Sequence, residues 1–217
     1  MKIAGFKKHS LIDFPGYISS VIFTQGCNFR CGFCHNPDLV LPARFSSVID
    51  ESVILDYLQK RKNLLGGVCI TGGEPTIHKD LPNLIRWVKN LGLKVKLDSN
   101  GTNPDMLRSL IDDNLVDYIA MDIKHLLNYD DYNRAAGYFI HKSIYYSVLN
   151  SINIIRTSKI NHEFRTTVMA GLHNLNDIKE LKQQFPDLKI QNFNDKVVMD
   201  PDLNIKAFSD KQIEDIS

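Results

Sequence analysis

The chain has 217 residues, with 26 Lys and Arg against 25 Asp and Glu and a formal net charge of +1. That balance carries no electrostatic footprint for nucleic acid, and 43% apolar with 24% charged residues is ordinary for a globular enzyme. No window offers ~18 consecutive apolar residues, and the opening Met1-Lys2-Ile3-Ala4-Gly5-Phe6-Lys7-Lys8-His9 lacks the apolar core of a signal peptide. A cytoplasmic protein with no membrane segment is expected, long enough for one domain with a substantial core.

In chain order, Ile3–Lys7 reads as a short strand, and Pro15-Gly16 turns the chain towards the next strand, Ser19–Gln25. Val40–Arg44 reads as loop. Ser46 or Ser47 is placed to cap a helix with Ile49, Val53, Ile54, Tyr57 and Leu58 on its inner face. Gly67–Thr71 is a short apolar strand. Leu81, Leu84, Ile85, Val88 and Leu91 recur at helical spacing before Gly92, a natural stop. Leu93–Leu97 alternates as a strand. Asn103 caps a helix with Pro104 at its first position and Leu107, Leu110 and Ile111 inward. Val116–Met121 is the next strand, then a helix carries Ile144, Val148, Ile152 and Ile155. Glu163–Met169 is a strand, Ile178 and Leu181 sit on a helix, Leu188–Phe193 is the last strand, and Ser209 caps a short terminal helix.

About six strand–helix units at this spacing imply right-handed parallel crossovers. A complete eight-fold barrel typically needs ~250 residues, so the pattern permits a partial barrel or a doubly wound open sheet. Either way the site belongs at the C-terminal ends of the strands.

The stretch past the first parallel strand is Gly26-Cys27-Asn28-Phe29-Arg30-Cys31-Gly32-Phe33-Cys34-His35-Asn36-Pro37, which holds three of the chain's four cysteines as C-x3-C-x2-C. Three thiolates on one tight loop suit three irons of a 4Fe–4S cubane and leave the fourth without a protein ligand. Gly26 and Gly32 allow the turn and bring amide N–H groups near an anionic cluster. The alternative is zinc, with His35 or Cys69 completing the site. Cys69, within Gly-Val-Cys-Ile-Thr, otherwise reads as a core cysteine.

The later strand ends are also polar. Thr71-Gly72-Gly73-Glu74-Pro75-Thr76 offers two glycines for close ligand approach and a carboxylate for a cation. Asp98-Ser99-Asn100-Gly101 and Met121-Asp122-Ile123-Lys124-His125 bring hydroxyl, carboxylate and ammonium groups to the mouth, although Asp122 also suits a cap or turn and Lys124 a surface ammonium. Arg165, inside a strand, suits an inward ion pair, and Gln191 and Asn192 suit the cavity wall or solvent.

The set Cys27, Cys31, Phe33 and Cys34, an aromatic just before the last cysteine, resembles the radical S-adenosylmethionine (SAM) superfamily. The resemblance implies a single domain over 1–217. Residues 1–18 would form an N-terminal β extension, 19–195 a partial (β/α)6 TIM-like barrel of parallel strands in this α/β chain, and 196–217 a C-terminal tail. It implies Cys27, Cys31 and Cys34 as ligands of a 4Fe–4S cluster whose open iron takes the amino and carboxylate groups of SAM. One electron then cleaves the sulfonium to methionine and a 5′-deoxyadenosyl radical, which abstracts a hydrogen atom; no side chain is assigned a catalytic step beyond the cluster and SAM. Phe33 would pack near the adenine, unless it simply folds onto the core.

Gly72, Gly73 and Glu74 resemble the superfamily's GGEP motif, which holds the amino end of SAM. Asp98, Ser99 and Lys124 fall in runs that look like the D-[ST]-N-G and D-[IL]-K motifs of glycyl-radical activating enzymes. There, strand ends of this kind bear on SAM, and carboxylates matching Asp98 and Asp122 share a monovalent cation. Phe23 to Cys31, Cys34 to Pro37, Tyr118 to Lys124 and Phe164 to Val168 are close to the activating proteins of anaerobic ribonucleoside-triphosphate reductase. That implies this reductase as protein partner and a flavodoxin- or ferredoxin-type electron donor. The family's last strand often reads Gln-Gln-Phe-Arg-Pro, where this chain has Gln191-Asn192-Phe193-Asn194-Asp195. Three alternatives remain: another glycyl-radical enzyme as target, a small-molecule enzyme resembling 7-carboxy-7-deazaguanine synthase, and a metal-binding or electron-transfer module without SAM chemistry.

Overall fold

A computed structural model describes residues 1–138, 140–194 and 196–215. Strand β1 (Ile3–Ser10) pairs antiparallel with β2 (Ser19–Thr24). From β2 the pairing is parallel and sequential through β3 (Gly67–Gly72), β4 (Lys94–Ser99), β5 (Tyr118–Asp122), β6 (Asn161–Val168) and β7 (Lys189–Asn192). The sheet order is β1-β2-β3-β4-β5-β6-β7, with β1 and β7 as its two edges, so the sheet is an open, partial barrel. The expected architecture is the one found. Asp195, the expected end of the barrel and of the run that departs from the family, lies outside the described residues.

Helix α1 (Pro37–Val40) and a 3-10 turn at Pro42–Arg44 replace the loop expected over Val40–Arg44. Each starts with proline, whose fixed φ suits the first helical position and which has no N–H to leave unpaired there. Helix α2 (Glu51–Arg61) begins later than Ser46 or Ser47, with Asp50 as its cap accepting from Ser52 N–H at 2.8 Å. The preceding residues are held extended, since Ile49 N–H donates to Ile3 O at 2.7 Å and Ser46 O accepts from Gln25. The later start turns Val53 to solvent, 60% exposed, while Ile54 and Leu58 are fully buried.

Helix α3 (Leu81–Asn90) ends at Gly92, whose φ of +82° is the left-handed stop read from the sequence. Helix α4 (Pro104–Asp112) carries the expected Asn103 cap, accepting from Met106 N–H at 3.2 Å. Helix α5 (Tyr129–Ala135) was not foreseen. It is followed by α6 (Lys142–Thr157), α7 (Leu175–Gln184) and α8 (Asp210–Glu214), the last capped by Ser209 as expected.

Side chains alternate across each strand. Ile22, Val68, Ile70, Val95, Leu97, Ile119 and Met121 are fully buried in the main core with the inner faces of the helices. The opposite face carries Lys96 and Asp98 on β4, Asp122 on β5, Glu163, Arg165 and Thr167 on β6, and Gln191 on β7. The polar interior of the barrel is therefore set by strand register.

Candidate active site

The C-terminal strand ends surround a cavity of about 240 Å³, lined by the thiol loop on one side and by residues of β3 to β7 on the others. The loop leaves β2 at Gly26, whose φ of +101° needs glycine. It is pinned on both sides: Gly26 N–H donates to Leu39 O at 2.7 Å, and Gly26 O accepts from Glu74 N–H at 2.8 Å. All three loop thiols line the cavity and none is in a disulfide. Amide donors surround the sulfurs, with Phe29 N–H on Cys27 Sγ and Asn36 N–H on Cys34 Sγ at 3.4 Å each, and Asn100 Nδ2 3.9 Å from Cys27 Sγ.

Burial, with Glu74 nearby, pushes the Cys27 thiol up to about 12. Burial pushes Cys31 up to about 11, against the pull of the Lys124 ammonium. Thiolates at these positions therefore require a cationic partner, which metal supplies. His35 does not complete a four-ligand set: it stacks on Phe193 at 5.7 Å, with Nδ1 3.0 Å from Val197 O. Cys69 lies inside β3, buried as expected but 3.9 Å from both Asp98 Oδ1 and Lys96 Nζ. Among the described residues no three His, Cys, Asp or Glu side chains are grouped around one ion. Three free thiols and amide donors along one wall fit a cluster that takes each thiolate on a different iron.

The Gly72-Gly73-Glu74 turn is built against this loop. A Cβ on Gly72 (φ +119°) would stand 2.3 Å from Thr24 N, and one on Gly73 would stand 1.9 Å from Gly26 O. The close approach predicted for a ligand is thus also demanded by the chain's own backbone. Glu74, 1% exposed, faces inward rather than solvent. Its Oε1 accepts from Thr76 N–H (3.1 Å), Thr76 Oγ–H (2.6 Å) and Ser99 Oγ–H (2.9 Å), and its Oε2 from Asn100 N–H (2.6 Å). Burial raises its pKa while these donors oppose the rise. One carboxylate therefore ties the end of β3 to the end of β4.

Asn100 continues the tie. Its Nδ2 donates to Asn28 Oδ1 at 2.9 Å, while Thr102 Oγ–H donates to Asn100 Oδ1 at 2.7 Å and Asn28 Nδ2 to Thr102 Oγ1 at 2.8 Å. Asn28 and Thr102 were missed from sequence. The signal was an asparagine directly after the first motif cysteine and a threonine directly after D-S-N-G. Phe33 is 5% exposed and lines the cavity.

Opposite the thiols, Arg165 pairs with Asp122 through Nε and Nη2 at 3.0 Å and with Asp98 through Nη1 at 3.3 Å. Lys124 Nζ holds the other Asp122 oxygen at 3.1 Å, and Lys96 pairs with Asp98. Against burial, Lys124 and Arg165 hold Asp122 down to about 2; burial also opposes the rise of Lys124, which Asp122 and Cys31 nonetheless push above its ordinary value. The guanidinium of Arg165 bridges Asp98 and Asp122, the two carboxylates expected to share a monovalent cation. Lys124 lines the cavity rather than the outer surface. Gln191 lines it too, whereas Asn192, the next residue on the strand, points away and exchanges hydrogen bonds with the Phe208 backbone at 2.8 and 3.0 Å.

With this geometry in view, the radical SAM superfamily model matches residues 21–185. A Methanocaldococcus jannaschii protein, provisionally named a glycyl-radical enzyme activating enzyme, is 31% identical over 208 residues, covering 91% of this chain and 82% of that one. The pyruvate formate-lyase-activating enzymes of Clostridium pasteurianum and Staphylococcus aureus are 29% and 35% identical over 129 and 137 residues. The chain spans about half the length of these two, 53% of each. Among solved structures, a radical SAM methyltransferase from Sphaerobacter thermophilus shares the fold at a TM-score of 0.67 and 11% identity, over 94% of this chain and 63% of that one. The structure named anSMEcpe, solved with AdoMet bound, shares it at 0.57 and 18%, over 77% and 49%. The chain belongs to the radical SAM superfamily, among its glycyl-radical activating enzymes, a family that works with a 4Fe–4S cluster and S-adenosylmethionine.

Proposed function

We propose that this chain generates a glycyl radical on anaerobic ribonucleoside-triphosphate reductase, with Cys27, Cys31 and Cys34 holding the cluster. The observation that carries the activase reading is convergence: the thiol loop and the strand ends bearing Glu74, Ser99, Asp122 and Lys124 line one cavity. Cluster and SAM together supply one-electron cleavage of the sulfonium and a 5′-deoxyadenosyl radical.

The chain's own residues would orient that chemistry. The backbone at Gly72 and Gly73 and the carboxylate of Glu74 form the wall for an ammonium group. Asp98, Ser99 and Lys124 form the wall for the nucleoside and a carboxylate, and Phe33 gives an apolar surface for the adenine. Buried Glu74 and the neutralised Asp98–Arg165–Asp122 set fix these walls before ligand arrives, which lowers the cost of ordering them on binding. The reductase as target rests on the close runs Phe23 to Cys31, Tyr118 to Lys124 and Phe164 to Val168, and a flavodoxin- or ferredoxin-type protein in the cytoplasm as electron source follows from the same likeness. A second target, another glycyl-radical enzyme such as pyruvate formate-lyase, is favoured by the names of two relatives.

The test is electron paramagnetic resonance on an anaerobic mixture of the reconstituted chain, SAM, reductant and either candidate partner, with 5′-deoxyadenosine quantified in the same tube. A glycyl doublet with the reductase alone supports the proposal. A doublet only with the other enzyme transfers the assignment, and SAM cleavage without any doublet removes both. Cys31→Ala should abolish cleavage; retained cleavage would remove Cys31 from the ligand set.

A further inference from the structure

Helix α5 is seated on the thiol loop at the residue just before Cys31. Arg30 N–H donates to Ala136 O at 2.9 Å. Gly137, at φ +102°, comes so near that a Cβ would stand 2.3 Å from Arg30 O. This docking turns Tyr132 inward, where its side chain is fully buried and its ring tilts against Tyr145 at 5.9 Å. Its hydroxyl lies within electrostatic reach of Lys124, Cys31 and Asp122.

That hydroxyl makes no hydrogen bond of good geometry in the described structure; the Lys124 backbone N–H beside it is a donor, so the phenol's own hydrogen is left without an acceptor. An unpaired buried hydroxyl costs about 1–3 kcal/mol, and native chains rarely leave one. A phenol is a donor at neutral pH and needs an acceptor. Of the three charged or chargeable neighbours, Lys124 is a cation and accepts nothing. Asp122 already takes Arg165 on one oxygen and Lys124 on the other, at 3.0 and 3.1 Å. Asp122 is thus engaged by both cations, and the Cys31 sulfur, with no side-chain donor on it among the described residues, is the less engaged acceptor and becomes a strong one as a metal-bound thiolate.

We propose that Tyr132 donates its phenolic hydrogen to the sulfur side of the cluster at Cys31 and so raises the potential at which the cluster accepts its electron. The proposal rests on the reading of Cys31 as a cluster ligand. A donor aimed at cluster sulfur stabilises the reduced, more negative state, which is one of the levers by which a protein sets such potentials. Tyr132 acts through the cluster and is a positioning residue, without a step of its own.

The experiment compares anaerobically reconstituted wild type, Tyr132→Phe and Tyr129→Phe. Each is checked for iron and sulfide content and titrated with reductant under electron paramagnetic resonance. Tyr129 is the control because it loses a hydroxyl on the same helix that is already used, by Ile140 O at 2.9 Å. Tyr132→Phe with a full cluster should be harder to reduce by about tenfold in equilibrium constant, ~59 mV downward for one electron, while Tyr129→Phe stays with wild type. An unmoved potential in Tyr132→Phe, or equal shifts in both variants, overturns the proposal. If Tyr132→Phe does not keep its cluster, 3-fluorotyrosine at position 132 makes the phenol a stronger donor in the same shape. It should then move the potential up, and no movement or a fall overturns the proposal. A wild type that assembles no 4Fe–4S cluster overturns the ligand assignment as well, so the two failures are told apart.

Discussion

A methyl group at Gly73 would stand 1.9 Å from Gly26 O, a contact that no rotamer relieves because both partners are backbone. Gly73→Ala should therefore push the β3 exit away from the thiol loop, costing about 3 kcal/mol as overpacking does and lowering iron loading together with stability. A urea melt beside an iron assay checks this, and full loading at wild-type stability would show that the loop yields without cost. At Glu74 the problem is one of donors. Both carboxylate oxygens accept, from Thr76, Ser99 and Asn100. Glu74→Gln puts an N–H₂ where one set of donors points, so about 1–3 kcal/mol should be lost and SAM affinity should fall. Isothermal titration of SAM into the reconstituted variant reads the second effect. Affinity equal to wild type would confine Glu74 to holding the turn.

Strands β4, β5 and β6 bring Asp98, Asp122 and Arg165 together because each residue falls on the inward phase of its strand, with Asp122 directly opposite Arg165 in register. Removing the guanidinium leaves two carboxylates facing one another in a poorly solvated cavity. Arg165→Met should lower stability by about 2–3 kcal/mol near neutral pH, below the range for fully buried pairs because these groups keep some solvent. The deficit should shrink as pH falls towards ~4, where the carboxylates begin to protonate. A deficit equal at every pH would mean that lost packing is the cause. The same elements show what the sequence makes legible. Strand phase and the motif cysteines were readable, since alternation and short spacing are local properties. The guanidinium bridging Asp98 and Asp122 was not, because it depends on the register of three strands far apart in sequence. Helix α5 was also missed: Tyr-Asp-Asp-Tyr-Asn-Arg-Ala buries only Tyr132 and Ala135, with Tyr129 half-buried beside them, a face too short to stand out as periodicity, and it docks on Arg30 through Ala136 O. The start of α2 moved because Ile49 was bonded to Ile3, a partner that helical periodicity cannot reveal.

Across the whole molecule, the loops at the ends of β5 and β6 are fastened by a stacked imidazole pair, His125 and His173, with ring centroids 4.5 Å apart. His173 bonds Lys124 O through Nε2 at 3.2 Å, and His125 bonds Leu172 O at 3.0 Å, so each ring grips the other's loop. Burial, and then the neighbouring His125, push His173 down to about 4, with Asp177 opposing. The sign of the pH effect follows. Unfolded histidine titrates near ~6.5, so below that value the unfolded chain binds the proton that folded His173 refuses. Stability is complete above ~6.5 and falls as pH drops towards about 4, by at most ~1.4 kcal/mol per pH unit. Asp122, held down to about 2, loses its contribution only at lower pH. Acid should thus loosen the loop that carries Lys124 before it neutralises Asp122. Urea melts from about pH 7.5 to about pH 4.5 should show this slope in the wild type and a flatter one in His173→Gln, which keeps a donor for Lys124 O but cannot bind a proton in this range. If both proteins lose stability in parallel, the acid sensitivity belongs to other groups and the imidazole pair is only a mechanical clasp.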